Sequence, residues 1–214
     1  MLTIHHLGVS QSERIIWLCE ELGVPYELKK YDRDAQTRLA PAEYKALHPI
    51  GTAPIITDGN LVLPESGAII EYINNKYGQG RLALKPDHPN YADYVFWFHF
   101  ANGSMMPNMM MGLIATLSGA NPAGNPIMES LLERSKKGFA LMEARLAKVP
   151  YFAGDTFTAA DVIMLFPLTT MRAFAPIDLS AYPSIRAYLK RIGERPAYLR
   201  AMKKGDPDLP LNLG

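Results

Sequence analysis

The sequence contains 214 residues, 48% of them hydrophobic, which is enough to bury a sizeable core and leads us to expect two domains. Its 22 basic and 21 acidic residues give a net charge of +1, so we expect neither nucleic acid nor an anionic membrane surface as a partner. The single cysteine excludes an internal disulfide framework and a CxxC redox pair. Without a signal-peptide pattern or a long apolar run, the sequence predicts a cytoplasmic location and no membrane contact.

The first 80 residues have the pattern of an α/β domain. Leu2–Leu7 and Tyr26–Tyr31 are predicted as strands, and apolar residues between them recur at i, i+3, i+4 and i+7, as on one face of a helix. Gly23, with a proline two residues later, is typical of the end of that helix. A further short helix is predicted from Pro41. Two strands joined by a helix predict a βαβ unit.

A β-hairpin is predicted after this unit. Ala53–Thr57 is a β-branched run, and Pro54 stands near its start, where a missing N–H does least harm and a cis peptide bond is possible. Asp58 and Gly59 form a dipeptide that supplies positive φ to a two-residue turn. Asn60–Leu63 is then the predicted partner strand.

The helix after the hairpin starts with an acidic residue and a serine. Ser66 is placed to cap a helix running to Tyr77, and its hydroxyl and the amides of the first turn would form a seat for a carboxylate. Glu65 offers an anion for an ammonium group. The stretch therefore suits a ligand with an α-amino acid head.

The rest of the sequence predicts helices without strands. A linker at residues 81–89 separates a domain of residues 1–80 from a helical domain of residues 90–214. The predicted elements are a helix over Tyr91–Leu117 bent at Pro107, a loop over Ser118–Pro126, an amphipathic helix from Met128 to Leu146, helices over Thr158–Phe174 and Tyr182–Glu194, and an irregular tail from Gly205. Thr158 and Asp161 have capping-box spacing, so their predicted role is in folding.

Ser10 is the main candidate for chemistry, because it lies between the first strand and the first helix, where its hydroxyl and the helix dipole would face a ligand. An alternative of equal weight is a capping box, in which Ser10 serves the third helical amide and Glu13 reaches back. A hydrolase-type serine nucleophile is not expected, because there is no GxSxG motif and no histidine or aspartate is placed as an obvious partner.

Two other residues of the first helix have competing interpretations. Arg14 lies one turn beyond Ser10 and could carry an ion pair across a ligand cleft, although a solvated surface arginine is the simpler interpretation. Cys19 falls on the apolar face and is interpreted as a small buried hydrophobic residue rather than a nucleophile.

No metal site is expected. His5 and His6 are adjacent on a strand, so their side chains point to opposite faces, and the remaining histidines are isolated. The methionine run that includes Met105, Met106 and Met109 is either ordinary core or an adaptable surface for apolar ligands, and core is the simpler interpretation.

Three motifs together resemble the cytosolic glutathione transferases across nearly the whole chain: VSQSERIIWLCEELG, HPIGTAPIITDGNLVLPESGAIIEYI and FTAADVIML. The resemblance implies an α/β thioredoxin-like N-terminal domain followed by an all-α helical C-terminal domain. Within the family, the spacing of Ser10 and Arg14 and the stretch FANGSMMP look like the serine-type enzymes of bacteria and fungi.

The resemblance also implies roles for individual residues. Ser10 would be the catalytic residue that contacts the glutathione sulfur. Ala53 and a cis Pro54 would present main-chain groups to the cysteinyl moiety, while Glu65 and Ser66 would hold the γ-glutamyl head. The last assignment agrees with the amino-acid seat inferred above from the helix start.

The remaining site residues complete this expectation. Arg14 and Thr52 would belong to the glutathione site, although Thr52 stands where many members have a basic residue that contacts the glycyl carboxylate. Asn102 stands where related sequences often have an acidic residue. The hydrophobic acceptor pocket would consist of Val9, Met105, Met106, Met109 and Phe174.

The expected function is therefore activation of the glutathione thiol as a thiolate for attack on small hydrophobic electrophiles, with peroxide reduction as a related activity. Glutathione would act as co-substrate, without a further cofactor, in a homodimer. The alternative from another class is a non-catalytic binding or interaction module with the same fold. Reductase members use a cysteine in the Ser10 region, and the isomerase branch has a serine–cysteine cluster that VSQSER lacks.

Overall fold

A computed structural model describes residues 1–119 and 124–214. The chain divides into two compact units, one of residues 1–83 and 193–211, the other of residues 84–192 and 212–214. Within the described residues, none of the helices has both the length and the apolar character needed to cross a membrane.

The first unit is a four-stranded sheet with helices. Its elements are β1 (Leu2–Leu7), α1 (Glu13–Leu22), β2 (Glu27–Tyr31), α2 (Ala42–Lys45), β3 (Ile55–Asp58), β4 (Leu61–Pro64), α3 (Ser66–Lys76) and α9 (Pro196–Gly205). The strand order is β2-β1-β3-β4, with β2 parallel to β1 and the other pairs antiparallel. This arrangement confirms the predicted βαβ unit and the thioredoxin-like topology.

The core of this unit follows from the apolar runs in its strands. Leu7, Tyr31, Tyr44 and Ile55 form one buried cluster. The apolar side of α1 is buried as well, and Gly23 ends that helix with φ 65°, a conformation that glycine adopts without steric cost. The predicted end of the helix is therefore confirmed.

The last helix of the chain, α9, packs against α1. Arg195 holds the Glu21 carboxylate with two nitrogens at 2.7 and 2.8 Å, and Arg200 reaches Glu20 at 2.9 Å. Burial opposes ionisation of Glu20, but the hydrogen bonds from Lys204 and Arg200 still lower its pKa. These ion pairs fix the orientation of α9 on α1.

Three details of this unit differ from the sequence prediction. The hairpin turn consists of Gly59 and Asn60, because Asp58 still pairs with Leu61 in the ladder. Ser66 is the first residue of α3 rather than its cap, and no side chain caps this helix. The helix Pro196–Gly205 was not predicted, although its buried apolar residues have helical spacing.

The second unit is helical. Its elements are α4 (Tyr91–Phe100), a π-helical turn (Ala101–Met105), α5 (Met106–Leu117), α6 (Pro126–Leu146), α7 (Ala159–Leu168), a 3-10 helix (Thr170–Ala173) and α8 (Pro183–Gly193). The predicted bend near Pro107 occurs one turn earlier, as the π-helical turn, and Pro107 lies in the first turn of α5. Of the predicted loop over Ser118–Pro126, residues 120–123 lie outside the described part of the chain.

Helix α7 is the centre of the second unit, since all ten of its residues are buried. Thr158 and Asp161 form a complete capping box at its start: the Thr158 hydroxyl accepts from the Ala160 amide at 3.3 Å, and Asp161 accepts from the Thr158 amide at 2.9 Å. Asp161 also accepts from the Phe152 amide at 2.9 Å. Burial raises the pKa of Asp161 to about 6, against the effect of these hydrogen bonds.

The compact units differ from the predicted domain division in one respect. Residues 193–211, which the sequence analysis placed in a helical domain of residues 90–214, belong by their contacts to the first unit. The linker at 81–89 and the limits of independently folding domains remain predictions.

Candidate functional site

The loop that carries Ser10 is fixed from two sides within the first unit. The Arg33 guanidinium donates to the Gly8 carbonyl at 2.8 Å and to the Val9 carbonyl at 3.1 Å. The Val9 amide donates to Asp206 at 3.0 Å. These bonds hold Val9 at φ 51°, a conformation that is sterically costly for a β-branched residue, by about 1–3 kcal/mol. Strain of this kind persists only where the surroundings determine the backbone.

Ser10 lies at the start of α1, 6% exposed, with its hydroxyl 2.7 Å from the Ser12 hydroxyl. The Ser10 hydroxyl also accepts from the Ser12 amide at 3.3 Å. The N-cap residue of α1 is Ser12, and its side chain makes no capping hydrogen bond. The capping-box alternative for Ser10 is therefore not the observed geometry: the hydroxyl forms a local turn instead of serving the third helical amide.

Behind Ser10 lies a buried polar chain that the sequence analysis did not anticipate. The Ser12 hydroxyl is 2.8 Å from Nδ1 of His6, and Nε2 of His6 is 3.1 Å from a carboxylate oxygen of Asp206. Ser12 and His6 are 0% and 1% exposed. Although burial opposes it, the His6 imidazole and the Val9 amide hold the pKa of Asp206 below its usual value.

The sequence showed no histidine or aspartate as an obvious partner of Ser10, whereas the structure brings one of each close to its loop. His6 is one hydroxyl group away from Ser10, and Asp206 adjoins the same loop. The alternation of side chains along a strand predicts that His6 and His5 lie on opposite faces of β1, but it does not predict the partners of His6. His5 instead contacts the Tyr31 hydroxyl at 2.9 Å. Asp206 follows His6 by 200 residues in the sequence, and no local pattern connects it to this site.

Arg14 is buried, with 1% of its surface exposed, which overturns the interpretation as a solvated surface residue. Its Nη1 donates to Gln11 at 2.5 Å and to the Ser66 hydroxyl at 3.4 Å. Burial lowers the pKa of Arg14 to about 9, which leaves it charged at neutral pH. The structure therefore brings a fixed positive charge next to Ser66.

The other predicted glutathione residues lie at the ends of β3 and β4. The Ala53–Pro54 peptide bond is cis, and it directly precedes β3. Pro54 is buried, Ala53 is half-buried and Thr52 is exposed. Thr52 supplies no charge at this position, so the departure from the family pattern noted in the sequence leaves an uncharged side chain in the loop.

Glu65 and Ser66 form the start of α3. Glu65 is exposed and has φ 75°, a conformation that costs a residue with a β-carbon about 1–3 kcal/mol. Ser66 is buried at 2% exposure beneath the first turn. The first-turn amides of a helix have no partner within it, so they and Arg14 together favour a negative group at this point.

The predicted acceptor residues separate into two groups. Met105 and Met106 are core residues: Met105 is 0% exposed, and a β-carbon added at Gly138 would lie 2.6 Å from its sulfur. Met109 and Phe174, in contrast, line a cavity of about 560 Å³ within the second unit. Val9 belongs to the first unit and lies in the loop described above.

The walls of this cavity are mainly apolar. Other lining residues come from α5, α6 and the segment after the 3-10 helix, and include Gly112, Leu113, Phe139, Pro176, Ile177 and Tyr182. Lys136 and Asp178 supply charge to its lining. A volume of this size is within the range of small-molecule sites. Two of its residues, Met109 and Phe174, were predicted from the sequence.

The described parts of the chain contain neither a cluster of metal ligands nor a reactive cysteine. Within residues 1–119 and 124–214, no group of three or more His, Cys, Asp or Glu residues could hold a metal ion. Cys19 is 0% exposed, and burial raises the pKa of its thiol to about 12, so it is an inert core residue.

Comparison with known proteins gives consistent matches over both halves of the chain. Residues 10–76 match the family model described as glutathione S-transferase, N-terminal domain, and residues 105–196 match that described as glutathione S-transferase, C-terminal domain. The chain is 35% identical to Glutathione S-transferase 3 of Schizosaccharomyces pombe over 95% of this chain and 88% of that protein. It is 30% identical to Glutathione S-transferase 1 of Saccharomyces cerevisiae over 95% of each.

A solved structure described as a glutathione S-transferase from Actinobacillus pleuropneumoniae has the same fold. It aligns with a TM-score of 0.87 and 34% sequence identity, covering 100% of this chain and 99% of that one. Sequence and structure therefore agree over nearly the whole length of the chain.

Proposed function

Because the chain belongs to the glutathione S-transferase family, we propose that it binds glutathione on the first unit and that Ser10 activates the bound thiol for attack on small hydrophobic electrophiles. The observation that carries this proposal is the position of Ser10. Its hydroxyl lies at the amino end of α1 in a loop held by Arg33 and Asp206, and it is not used as a helix cap. A hydroxyl so placed can donate to an anion.

The γ-glutamyl head of glutathione is assigned to the start of α3. Its carboxylate would accept from Ser66 and the first-turn amides, next to the buried charge of Arg14 at 3.4 Å from the Ser66 hydroxyl. Its ammonium group would pair with the exposed carboxylate of Glu65. Ala53 and Pro54 would offer main-chain groups to the cysteinyl part, and Thr52 would lie near the glycyl end.

Activation of the thiol follows from the charge that develops on sulfur. A free thiol titrates near pH 8.5, and a hydrogen bond to a charged group contributes about 1.5–3 kcal/mol, so Ser10 would lower the pKa of the bound thiol by roughly one to two units. The positive end of α1 would add to this effect. Most of the bound glutathione would then be thiolate near neutral pH.

The electrophile is assigned to the cavity of the second unit. Met109 and Phe174 would contact its apolar part, and methionine and aromatic side chains suit ligands of varied shape. With a hydroperoxide as acceptor the reaction would be a reduction. Assays with a panel of electrophiles and hydroperoxides decide between conjugation and peroxide reduction. The buried, inert Cys19 argues against a mechanism that forms a mixed disulfide on the protein.

We also propose that the protein acts as a homodimer in the cytoplasm. The second unit exposes large apolar side chains on α4 and α5, namely Phe96, Met110, Met111, Ile114 and Leu117. Several exposed apolar side chains on two consecutive helices favour an interface. Sedimentation of the purified protein at two concentrations measures the oligomeric state, and a monomer at both would contradict the proposal.

The function is tested by an ultraviolet difference titration of glutathione near neutral pH, which reads the thiolate absorbance of the native protein and of Ser10→Ala. Thiolate that forms in the native protein and is lost in the variant supports the proposal. Binding without thiolate in the native protein would favour a non-catalytic module with this fold. Absence of binding would contradict the ligand assignment.

A further inference from the structure

The buried chain behind Ser10 has an unbroken sequence of short contacts. Ser10 and Ser12 hydroxyl oxygens are 2.7 Å apart, and the Ser12 oxygen is 2.8 Å from Nδ1 of His6. Nε2 of His6 faces Asp206 at 3.1 Å. All four residues lie in the first unit, and Ser10 has the highest exposure of the first three, at 6%. A buried imidazole is therefore connected to the candidate catalytic hydroxyl by one intervening hydroxyl.

The carboxylate of Asp206 determines which nitrogen of His6 carries the proton in the neutral ring. An unprotonated Nε2 would place its lone pair 3.1 Å from a carboxylate oxygen, and the two would repel each other. The protein interior screens this repulsion less than water does. The contact is outside hydrogen-bond geometry, and neither atom has another hydrogen-bond partner among the described residues. Nε2 therefore carries the proton, and Nδ1 is left as an acceptor that faces the Ser12 hydroxyl.

We propose that His6 is the acceptor of the thiol proton of glutathione and acts through Ser12 and Ser10. This inference rests on the proposed role of Ser10. In the resting chain, Ser10 donates to Ser12 and Ser12 donates to Nδ1 of His6, so the Ser10 oxygen has a lone pair for the incoming S–H.

The transfer conserves protons at each atom. The thiol S–H bond breaks as its proton passes to the Ser10 oxygen, the original Ser10 proton passes to the Ser12 oxygen, and the original Ser12 proton passes to Nδ1 of His6. Both hydroxyls are regenerated. The products are a thiolate, which now accepts a hydrogen bond from Ser10, and an imidazolium, which Asp206 stabilises as an ion pair.

The surrounding structure supports this role. The hydroxyl of Ser12 does not cap α1, and its contact with Nδ1 of His6, at 2.8 Å, is much shorter than that with the Leu7 carbonyl, at 3.5 Å. Asp206 accepts from the Val9 amide with one oxygen and faces the imidazole with the other, so one carboxylate contacts both the Ser10 loop and the proton acceptor. Ser12, His6 and Asp206 are positioning residues in this scheme, because none of them touches the substrate.

A proton inventory tests the inference. Calorimetric titration of glutathione near neutral pH, in two buffers of different ionisation enthalpy, gives the protons released per bound glutathione, and ultraviolet absorbance gives the thiolate formed. For the native protein we expect fewer protons released than thiolates formed, because His6 retains the proton. One proton released to the buffer per thiolate would overturn the proposal.

Two variants interrupt the chain with small changes. His6→Asn keeps a group at the Nδ1 position that can bond Ser12 but cannot accept a proton, and Ser12→Ala removes a single oxygen, so it is the fallback if His6→Asn does not fold. Both should reduce thiolate per bound glutathione and kcat by about tenfold with little change in KM for glutathione. Any thiolate that remains should be matched by one released proton.

The matched control is His5→Asn. His5 is the neighbouring strand residue, is also buried, and bonds Tyr31 and Thr57 on the other face of β1. It should keep both the native thiolate yield and the native proton balance. If His6→Asn and Ser12→Ala behave like this control while Ser10→Ala loses the thiolate, only the proton acceptor is wrong. If the native protein forms no thiolate, the proposed function itself fails.

Discussion

Two helix starts in this protein have nearly the same sequence signature and different structures. Ser10-Gln11-Ser12-Glu13 precedes or opens α1, and Thr158-Ala159-Ala160-Asp161 opens α7. At α7 the capping box is complete and buried. At α1 neither serine hydroxyl acts as a cap, and both belong to a chain of contacts that leads to His6.

The difference shows that a hydroxyl at a helix start either caps the helix or stays available for other contacts. In α7 the Thr158 hydroxyl and the Asp161 carboxylate bond backbone amides, so they stabilise the folded unit. In α1 the Ser10 and Ser12 hydroxyls contact each other and His6 of β1, and no side chain caps the helix. Stability and activity should therefore respond separately to mutations at the two sites.

The largest expected effect is on stability, at α7. Asp161→Ala leaves the buried amides of Phe152 and Thr158 without their acceptor, at about 1–3 kcal/mol each, so we expect a loss of about 3–5 kcal/mol in the free energy of unfolding. Urea unfolding measures it. The activity per folded molecule should be unchanged. If activity per folded molecule fell together with stability, the two helix starts would not differ in the way inferred here.

The same carboxylate predicts how stability depends on pH. Because the folded pKa of Asp161 is raised to about 6, the folded state retains a proton between about pH 4 and 6 that the unfolded chain has released. Its contribution is thus fully present below about pH 4 and falls by up to about 3 kcal/mol as the pH rises to about 6–7. Asp161→Asn lacks this titration, so the unfolding free energy of the native protein relative to the variant should fall over that range. A constant difference would contradict the assignment.

At α1 the expected effect is on turnover. Ser10→Ala removes a hydrogen bond to a developing thiolate, and we expect kcat to fall by about 10- to 100-fold. The free energy of unfolding should fall by about 1–3 kcal/mol, less than for Asp161→Ala, because only the Ser12 amide loses its acceptor, and that bond is long at 3.3 Å. Steady-state kinetics and urea unfolding of the same preparation give both values. Unchanged turnover would remove Ser10 from the mechanism.

The smallest expected effect concerns Thr52. Thr52→Arg places a positive charge on an exposed loop residue next to the cis Ala53–Pro54 bond, where the glycyl carboxylate of glutathione is assigned. An exposed ion pair contributes about 0.2–1 kcal/mol, so KM for glutathione should fall by up to about fivefold at low salt. Thr52→Gln, of similar length without charge, is the control. An equal effect of both variants would exclude the electrostatic explanation.

Local sequence patterns correctly predicted the structural features that depend on residues close by in the sequence. Three such features are the strand β1, the end of α1 at Gly23 and the capping box of Thr158 and Asp161. Each is recognisable from a few consecutive residues. Features that depend on distant contacts were missed or misinterpreted. Arg14 is buried because α3 lies against α1, and the pairing of His6 with Asp206 depends on how α9 packs.

The candidate site shows the same division. The Ala53–Pro54 pair, Glu65 and Ser66 could be selected from sequence because they form one continuous motif, whereas the cavity that includes Met109 and Phe174 is assembled from three separate segments. Met105, Met106 and Met109 have the same composition signal and are all buried, but only Met109 of the three lines this cavity. Composition cannot distinguish the faces of one helix.

The position of α9 also affects the order in which the chain can mature during synthesis. Residues 1–83 leave the ribosome first, but the residues that complete their unit, 193–211, follow only after the roughly 110 residues of the second unit, at about 5–20 residues per second. For about 5–20 s the nascent Ser10 loop lacks its Asp206 anchor, and α1 lacks its ion pairs with α9. The unit whose translation begins first therefore gains its last helix only after residues 84–192 of the second unit have been made.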